Sequence, residues 1–256
     1  MKEKVLVIAF DGMDKELIEK YDLENIPQQE FGRIDNDTNV YKRMTSELFA
    51  CFITGKTHHE HGVKGLVKQL SLRDRLFSWL IPQKLANRVR GLETIKSFLV
   101  DLKEEKKYIR EDLEVKTLFE KIDNSLPLYV PSYNPESTWL LGHPHNVIKY
   151  YDLERVKEES KYNTKARVNL GTAVQPAFNE ITPDFWDFVM LHLHEPDAIQ
   201  DLGGDNLEEQ YSRLDTLAGD ILAEYGESWV VIFMSDHGRP EKYSGEHEHN
   251  KNAFYS

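Results

Sequence analysis

The chain has 256 residues, long enough for one large α/β domain or for a core domain with an inserted cap. Its formal charge of −12, with a pI near 5.3 and no sustained basic stripe, argues against a stable nucleic-acid complex. Cys51 is the only cysteine, which rules out an internal disulfide and suits a reducing cytoplasm.

Val5 to Phe10 is a continuous apolar run rich in β-branched residues, expected as a parallel strand covered on both faces. Asp11-Gly12 ends it, and the run is too short to be a signal-peptide core. Residues 47–53, ELFACFI, lie between Thr45-Ser46 and Thr54-Gly55. They read as a short helix with a hydroxyl N-cap and a glycine stop. From about 66 to 115 the sequence turns rich in Lys, Arg, Leu and Phe and reads as two amphipathic helices split near Pro82. This segment is expected as a helical cap inserted over the site, the alternatives being a helical pair on the sheet edge or a membrane-surface patch at Arg73 to Arg90.

LPLYV at 126–130, Phe185 to Leu193 and Trp229 to Met234 read as further strands, the last preceded by a helix from Glu208 to Tyr225. Strands alternating with helices predict a doubly wound, mostly parallel sheet flanked by helices, with ligands collected at the carboxyl ends of strands. No stretch approaches the roughly 20 apolar residues needed to span a bilayer. The chain stops just after an apolar start at 253–255, as the leading part of a longer protein would.

The chemistry-bearing residues stand in short segments after apolar runs or in polar loops: Asp11, Asp197, Asp201, Asp236, His237 and His247. This suggests a two-metal site built from strand ends, with Thr45 as nucleophile and Ser46 as its neighbour and alternative. Adjacent Asp236 and His237 offer oxygen and imidazole to one or two cations. Asp197 and Asp201, four apart, share a face if that turn is helical, and such a like-charged pair is best tolerated around a cation. Each segment alone also reads as a plain polar turn. His192 and His194 alternate with apolar residues and read as core or rim histidines. His58, His59 and His61 read as loop-fixing residues, and His247 and His249 lie in the polar GEHEHN loop.

VLVIAFDGMD, TSELFACFITGKTHHEHGV, EPDAIQD, VVIFMSDHG and GEH, in this order, resemble the alkaline phosphatase superfamily, in particular its type I phosphodiesterase and nucleotide pyrophosphatase branch. The resemblance implies an alkaline phosphatase-like core and hydrolysis of a small-molecule phosphate ester through two divalent ions, zinc, manganese or magnesium. The nucleophile, ten residues before the glycine of Thr54-Gly55, falls on Thr45. Asp11, Thr45, Asp236 and His237 would hold one ion, and Asp197, Asp201 and His247 the other. Two departures stand out. The family's His is replaced by Asp201, a harder ligand that shifts preference from zinc towards manganese or magnesium. Glu47-Leu48 also stands where a proline commonly follows the hydroxyl residue. The other readings are a phosphomutase or phospho-group transferase on the same fold, and a non-catalytic metal-binding protein. The sulfatase branch is not matched, because its Cys/Ser-x-Pro-x-Arg segment is absent.

Overall fold

The computed structural model describes residues 3–38, 40–65, 68, 107–134, 181, 185–194, 196–197, 207–239 and 250–256. Among the described residues six strands form one sheet: β1 Val5–Phe10, β2 Gly32–Arg33, β3 Ser125–Leu128, β4 Phe188–Leu193, β5 Val230–Met234 and β6 Phe254–Tyr255. Their spatial order is β2-β6-β5-β1-β4-β3. β1, β3, β4 and β5 run parallel, whereas β6 and β2 join antiparallel at the β5 edge.

The side-chain period of two explains how β1 organises both layers. Leu6, Ile8 and Phe10 enter one core with Val189, Leu191 and Phe233; Val7 and Ala9 enter the other with Phe49, Met190 and Met234. The first core is covered by α1 Lys15–Lys20 and by a long helix, Leu207–Tyr225. The second is covered by α2 Thr45–Thr54 and by a 3₁₀ turn at Leu118–Glu120, and the short helix α3 His58–His61 packs against α2. In chain order the long helix is α4. It buries Tyr211, Leu214, Ala218, Ile221 and Tyr225 on one stripe, the pattern of a helix with a single core-facing side.

Strand boundaries have local causes. Tyr129 has φ +60 and ends β3, which tolerates Pro127 because it lies at the sheet edge. Asp14 caps α1 by accepting the Glu16 N–H at 2.8 Å, and its own N–H donates to the Tyr211 hydroxyl at 2.8 Å. That pair ties the loop after β1 to α4. Asp215, also on α4, accepts N–H groups from Glu24, Asn25 and Ile26 and fixes the following loop. On the other face Gly55, at φ +67, closes α2 in the left-handed conformation expected of a glycine stop.

Two readings need correction or lie outside the described residues. The N-cap of α2 is Met44, with no side-chain bond; Thr45 is already helical because its hydroxyl turns towards Asp11 and His237. Nearly all of the 66–115 cap lies outside the described residues, and Arg110–Asp112 within it is a single 3₁₀ turn. Lys68, in the same segment, pairs with Asp112 at 2.6 Å. Tyr133 belongs to a turn, its N–H bonded to Val130 O. The two-residue strands β2 and β6 were not expected, since so short a run carries no periodicity.

Candidate active site

Asp11 is the hub. The β1–β4 ladder continues one residue past the strands, with Asp11 N–H donating to Leu193 O at 2.9 Å, so this carboxylate is delivered to the carboxyl edge of the sheet. It is fully buried there. The next strand, β5, ends at Met234 and delivers Asp236 and His237 to the same edge, both buried. Gly12, with φ +69, turns the chain away at once, and its N–H donates to Asp236 Oδ1 at 3.3 Å. Asp236 carries the turn further by accepting the Asn36 side-chain N–H on its backbone carbonyl at 2.8 Å.

Thr45 reaches this cluster from the first turn of α2. Its hydroxyl donates to Asp11 Oδ1 at 3.4 Å and lies 3.3 Å from His237 Nε2. His237 Nε2 also lies 3.2 Å from Asp11 Oδ1 and 3.4 Å from Asp236 Oδ2, so three oxygens from three segments converge on one nitrogen. His237 Nδ1 donates to Gly238 O at 3.0 Å, fixing the ring so that Nε2 is the edge turned to the oxygens.

Asp197 lies close to this group: one oxygen of Asp197, one of Asp11 and a nitrogen of His237 lie within 4.8 Å of one another. A second set within the same span is Asp11, His192 and His194. His194 Nδ1 bonds Asp11 Oδ2, and His192 Nε2 is 3.3 Å from that same oxygen. His192 is thus a core histidine and His194 a rim histidine, as read from the sequence, and both also contact Asp11. Residues two apart on a strand share a face, and the parallel register sets His192 level with Ala9, beside Asp11. Asp201 and His247 lie outside the described residues.

The electrostatics follow from crowding three buried carboxylates. Burial alone would raise the Asp11 carboxyl; the charge on His194 and the hydrogen bonds of His192, His194 and His237 hold it well below the usual range. Asp236 is pushed up to about 7, first by burial and then by the negative charge of Asp11 and Asp197, which outweigh the attraction of His237. Burial would lower His237, but Asp236, Asp11 and Asp197 draw it up to about 10. The cluster thus gathers positive charge onto itself, the condition a divalent cation satisfies by displacing a proton. Asp236 Oδ2 is buried without a hydrogen-bond partner among the described residues. Such an atom, 3.4 Å from the His237 imidazole, fits a metal ligand set of oxygen and nitrogen.

A family model described as type I phosphodiesterase/nucleotide pyrophosphatase matches residues 5–248. The chain belongs to this family. The type I phosphodiesterase match takes in Asp11, Thr45, Asp197, Asp236 and His237 alike. Among solved structures, murine ectonucleotide pyrophosphatase/phosphodiesterase 5 is similar at 15% identity and a TM-score of 0.45, covering 92% of this chain and 57% of that one. An inactive variant of it in complex with AMP gives 17% identity and a TM-score of 0.43, with the same coverage. The human protein of that name gives 14% and 0.45, again covering 92% and 57%. The chain therefore spans less than two thirds of the length of these structures. A comparison with curated proteins gives no match.

Proposed function

We propose that the chain is a metal-dependent phosphoric ester hydrolase, of phosphodiesterase type, acting on a small-molecule phosphate ester through a covalent intermediate on Thr45. The observation that carries this reading is the convergence of the Thr45 hydroxyl with Asp11 and His237 at the carboxyl edge of the sheet.

Asp11, Thr45, Asp236 and His237 would hold one divalent ion, and Asp197 would hold a second together with Asp201 and His247. Bound there, zinc, manganese or magnesium supplies Lewis acidity that lowers the pKa of a coordinated hydroxyl and offsets charge on the phosphoryl oxygens. The protein's part is positional. Thr45 stands at the N-terminus of α2, so a phosphoryl group beside its Oγ1 also meets the positive end of that helix. Its Oγ1 forms a bond to phosphorus while the bond from phosphorus to the leaving alcohol breaks. The threonine hydroxyl gives up its proton, and the departing alcohol takes one. Water then attacks phosphorus, breaks the bond to Thr45 and returns a proton to it. Burial of Asp11, Asp236 and His237 keeps bulk water from screening these charges.

Cys51, the single cysteine of these 256 residues, has no partner for a disulfide within them, which suits a reducing compartment such as the cytoplasm. No helix among the described residues is long and apolar enough to cross a membrane. The test is hydrolysis of bis-p-nitrophenyl phosphate and p-nitrophenyl phosphate by metal-stripped protein, with zinc, manganese or magnesium restored in turn. Metal-restored cleavage that prefers the diester supports the reading. Folded protein that cleaves neither ester with any of the ions overturns it.

A further inference from the structure

We propose that Asp11 bridges two metal ions and that His192 and His194, at the end of β4, are ligands of the ion on its Oδ2 side. The two oxygens of this carboxylate face different partners. Oδ1 meets Thr45 Oγ1 at 3.4 Å and His237 Nε2 at 3.2 Å. Oδ2 meets the two β4 imidazoles, His192 Nε2 at 3.3 Å and His194 Nδ1 in a short contact. One carboxylate thus separates an oxygen-rich set containing the nucleophile from a set of two nitrogens and one oxygen.

Strand geometry explains why both rings reach the same oxygen. His192 is level with Ala9 and His194 is two residues on, past the end of the β1–β4 register at Phe10↔Leu193. Both project to the same face. The deeper His192 reaches forward with its distal nitrogen, whereas His194, abreast of Asp11, uses the proximal one. Their rings stack at 5.9 Å between centroids and 26° between planes, and Phe49 packs edge-on against His192 at 4.8 Å, holding that ring in place. His192 is 2% exposed, but the His194 side chain is 17% exposed, which leaves an entry from the site side.

Two imidazoles and one carboxylate, with ligand atoms within 4.8 Å of one another, form a donor set for a transition-metal dication with open positions for substrate. Zinc and cobalt suit it better than magnesium, which prefers an all-oxygen shell.

The inference extends the two-ion reading of the proposed function, but its test is metal binding, so it stands or falls independently of phosphatase activity. Full-length, metal-stripped protein is titrated with zinc chloride by calorimetry, with bound zinc counted after dialysis. His194→Ala is expected to bind one zinc fewer per chain than wild type, and Asp236→Asn to lose a different one, so that the double variant loses two. Ring ¹⁵N resonances of wild-type protein supply a measurement free of folding effects: zinc shifts Nε2 of His192 and Nδ1 of His194. An unchanged zinc count in folded His194→Ala, or histidine resonances unmoved by saturating zinc, overturns the proposal and leaves the pair as hydrogen-bonding supports of Asp11.

Discussion

Replacing Gly12 by alanine perturbs the centre without replacing any of its ligands. Gly12 has φ +69, where a Cβ costs roughly 1–2 kcal/mol in backbone strain alone. That Cβ would also stand 2.7 Å from Asp197 Oδ1, 3.1 Å from Asp197 Cβ and 3.2 Å from His237 Cε1. All three distances are closer than a settled contact, and His237 is wholly buried, so the strain of overpacking adds about 1–3 kcal/mol. The sum is a loss of about 2–5 kcal/mol in unfolding free energy. Gly55→Ala supplies the control: φ is +67, but nothing lies within 4 Å, so only the backbone part of about 1–2 kcal/mol applies. Urea unfolding of the metal-stripped proteins measures both, and zinc titration then reads how far Asp197 has been pushed from Asp11 and His237. Gly12→Ala should be the less stable variant and the only one with weakened zinc binding. If both variants lose the same stability and bind zinc as wild type does, the packing of Asp197 over Gly12 is not as described.

His61 is buried, its Nδ1 accepting the Val63 N–H at 3.1 Å while Nε2 lies 3.2 Å from Cys51 Sγ; burial first, then the charge of His58, lowers its pKa from 6.5 to about 4. A lowered histidine contributes its stability above pH 6.5 and loses it as pH falls towards 4, so wild type should lose about 2–3 kcal/mol more than His61→Gln between pH 7 and 4.5 in urea unfolding; equal losses would contradict this. Cys51 is pushed up to about 11 by burial and by Glu47, so at pH 8 iodoacetamide should label the native protein about 100-fold more slowly than the urea-unfolded chain. Comparable rates would show the thiol to be free of that environment. Asp215→Ala removes the acceptor of the N–H groups of Glu24, Asn25 and Ile26 and should cost about 2–3 kcal/mol in urea unfolding, with a loss below 0.5 kcal/mol counting against the role.

Those elements that the sequence displays most plainly are the ones with the strongest physical drive. β1 and β5 are continuous apolar runs and α4 carries a full helical stripe, so their positions could be read within a residue or two. Asp11, Asp236 and His237 were legible for the same reason, since each follows such a run. Thr45 was legible through the ordered motifs around it, but its role at the start of α2 was not: an N-terminal hydroxyl normally caps, and only the tertiary arrangement shows it bonded to Asp11. His192 and His194 were hidden by their setting, because a histidine between Leu191 and Leu193 looks like core until the neighbouring strand is known. The parallel register of β1 against β4 is a long-range fact, and it alone places both rings beside Asp11. β2 and β6, two residues each, exist only through pairing with each other and with β5.

The central claim is that Thr45 carries the phosphoryl group. Metal-restored protein mixed with bis-p-nitrophenyl phosphate and quenched in acid within the first turnovers should yield a Thr45 peptide bearing a phosphoryl ester by mass spectrometry. Thr45→Ala should show no adduct and a kcat lower by on the order of 10³-fold or more, with zinc still bound. An adduct on Ser46, or a Thr45→Ala variant that turns over at the wild-type rate, would contradict it.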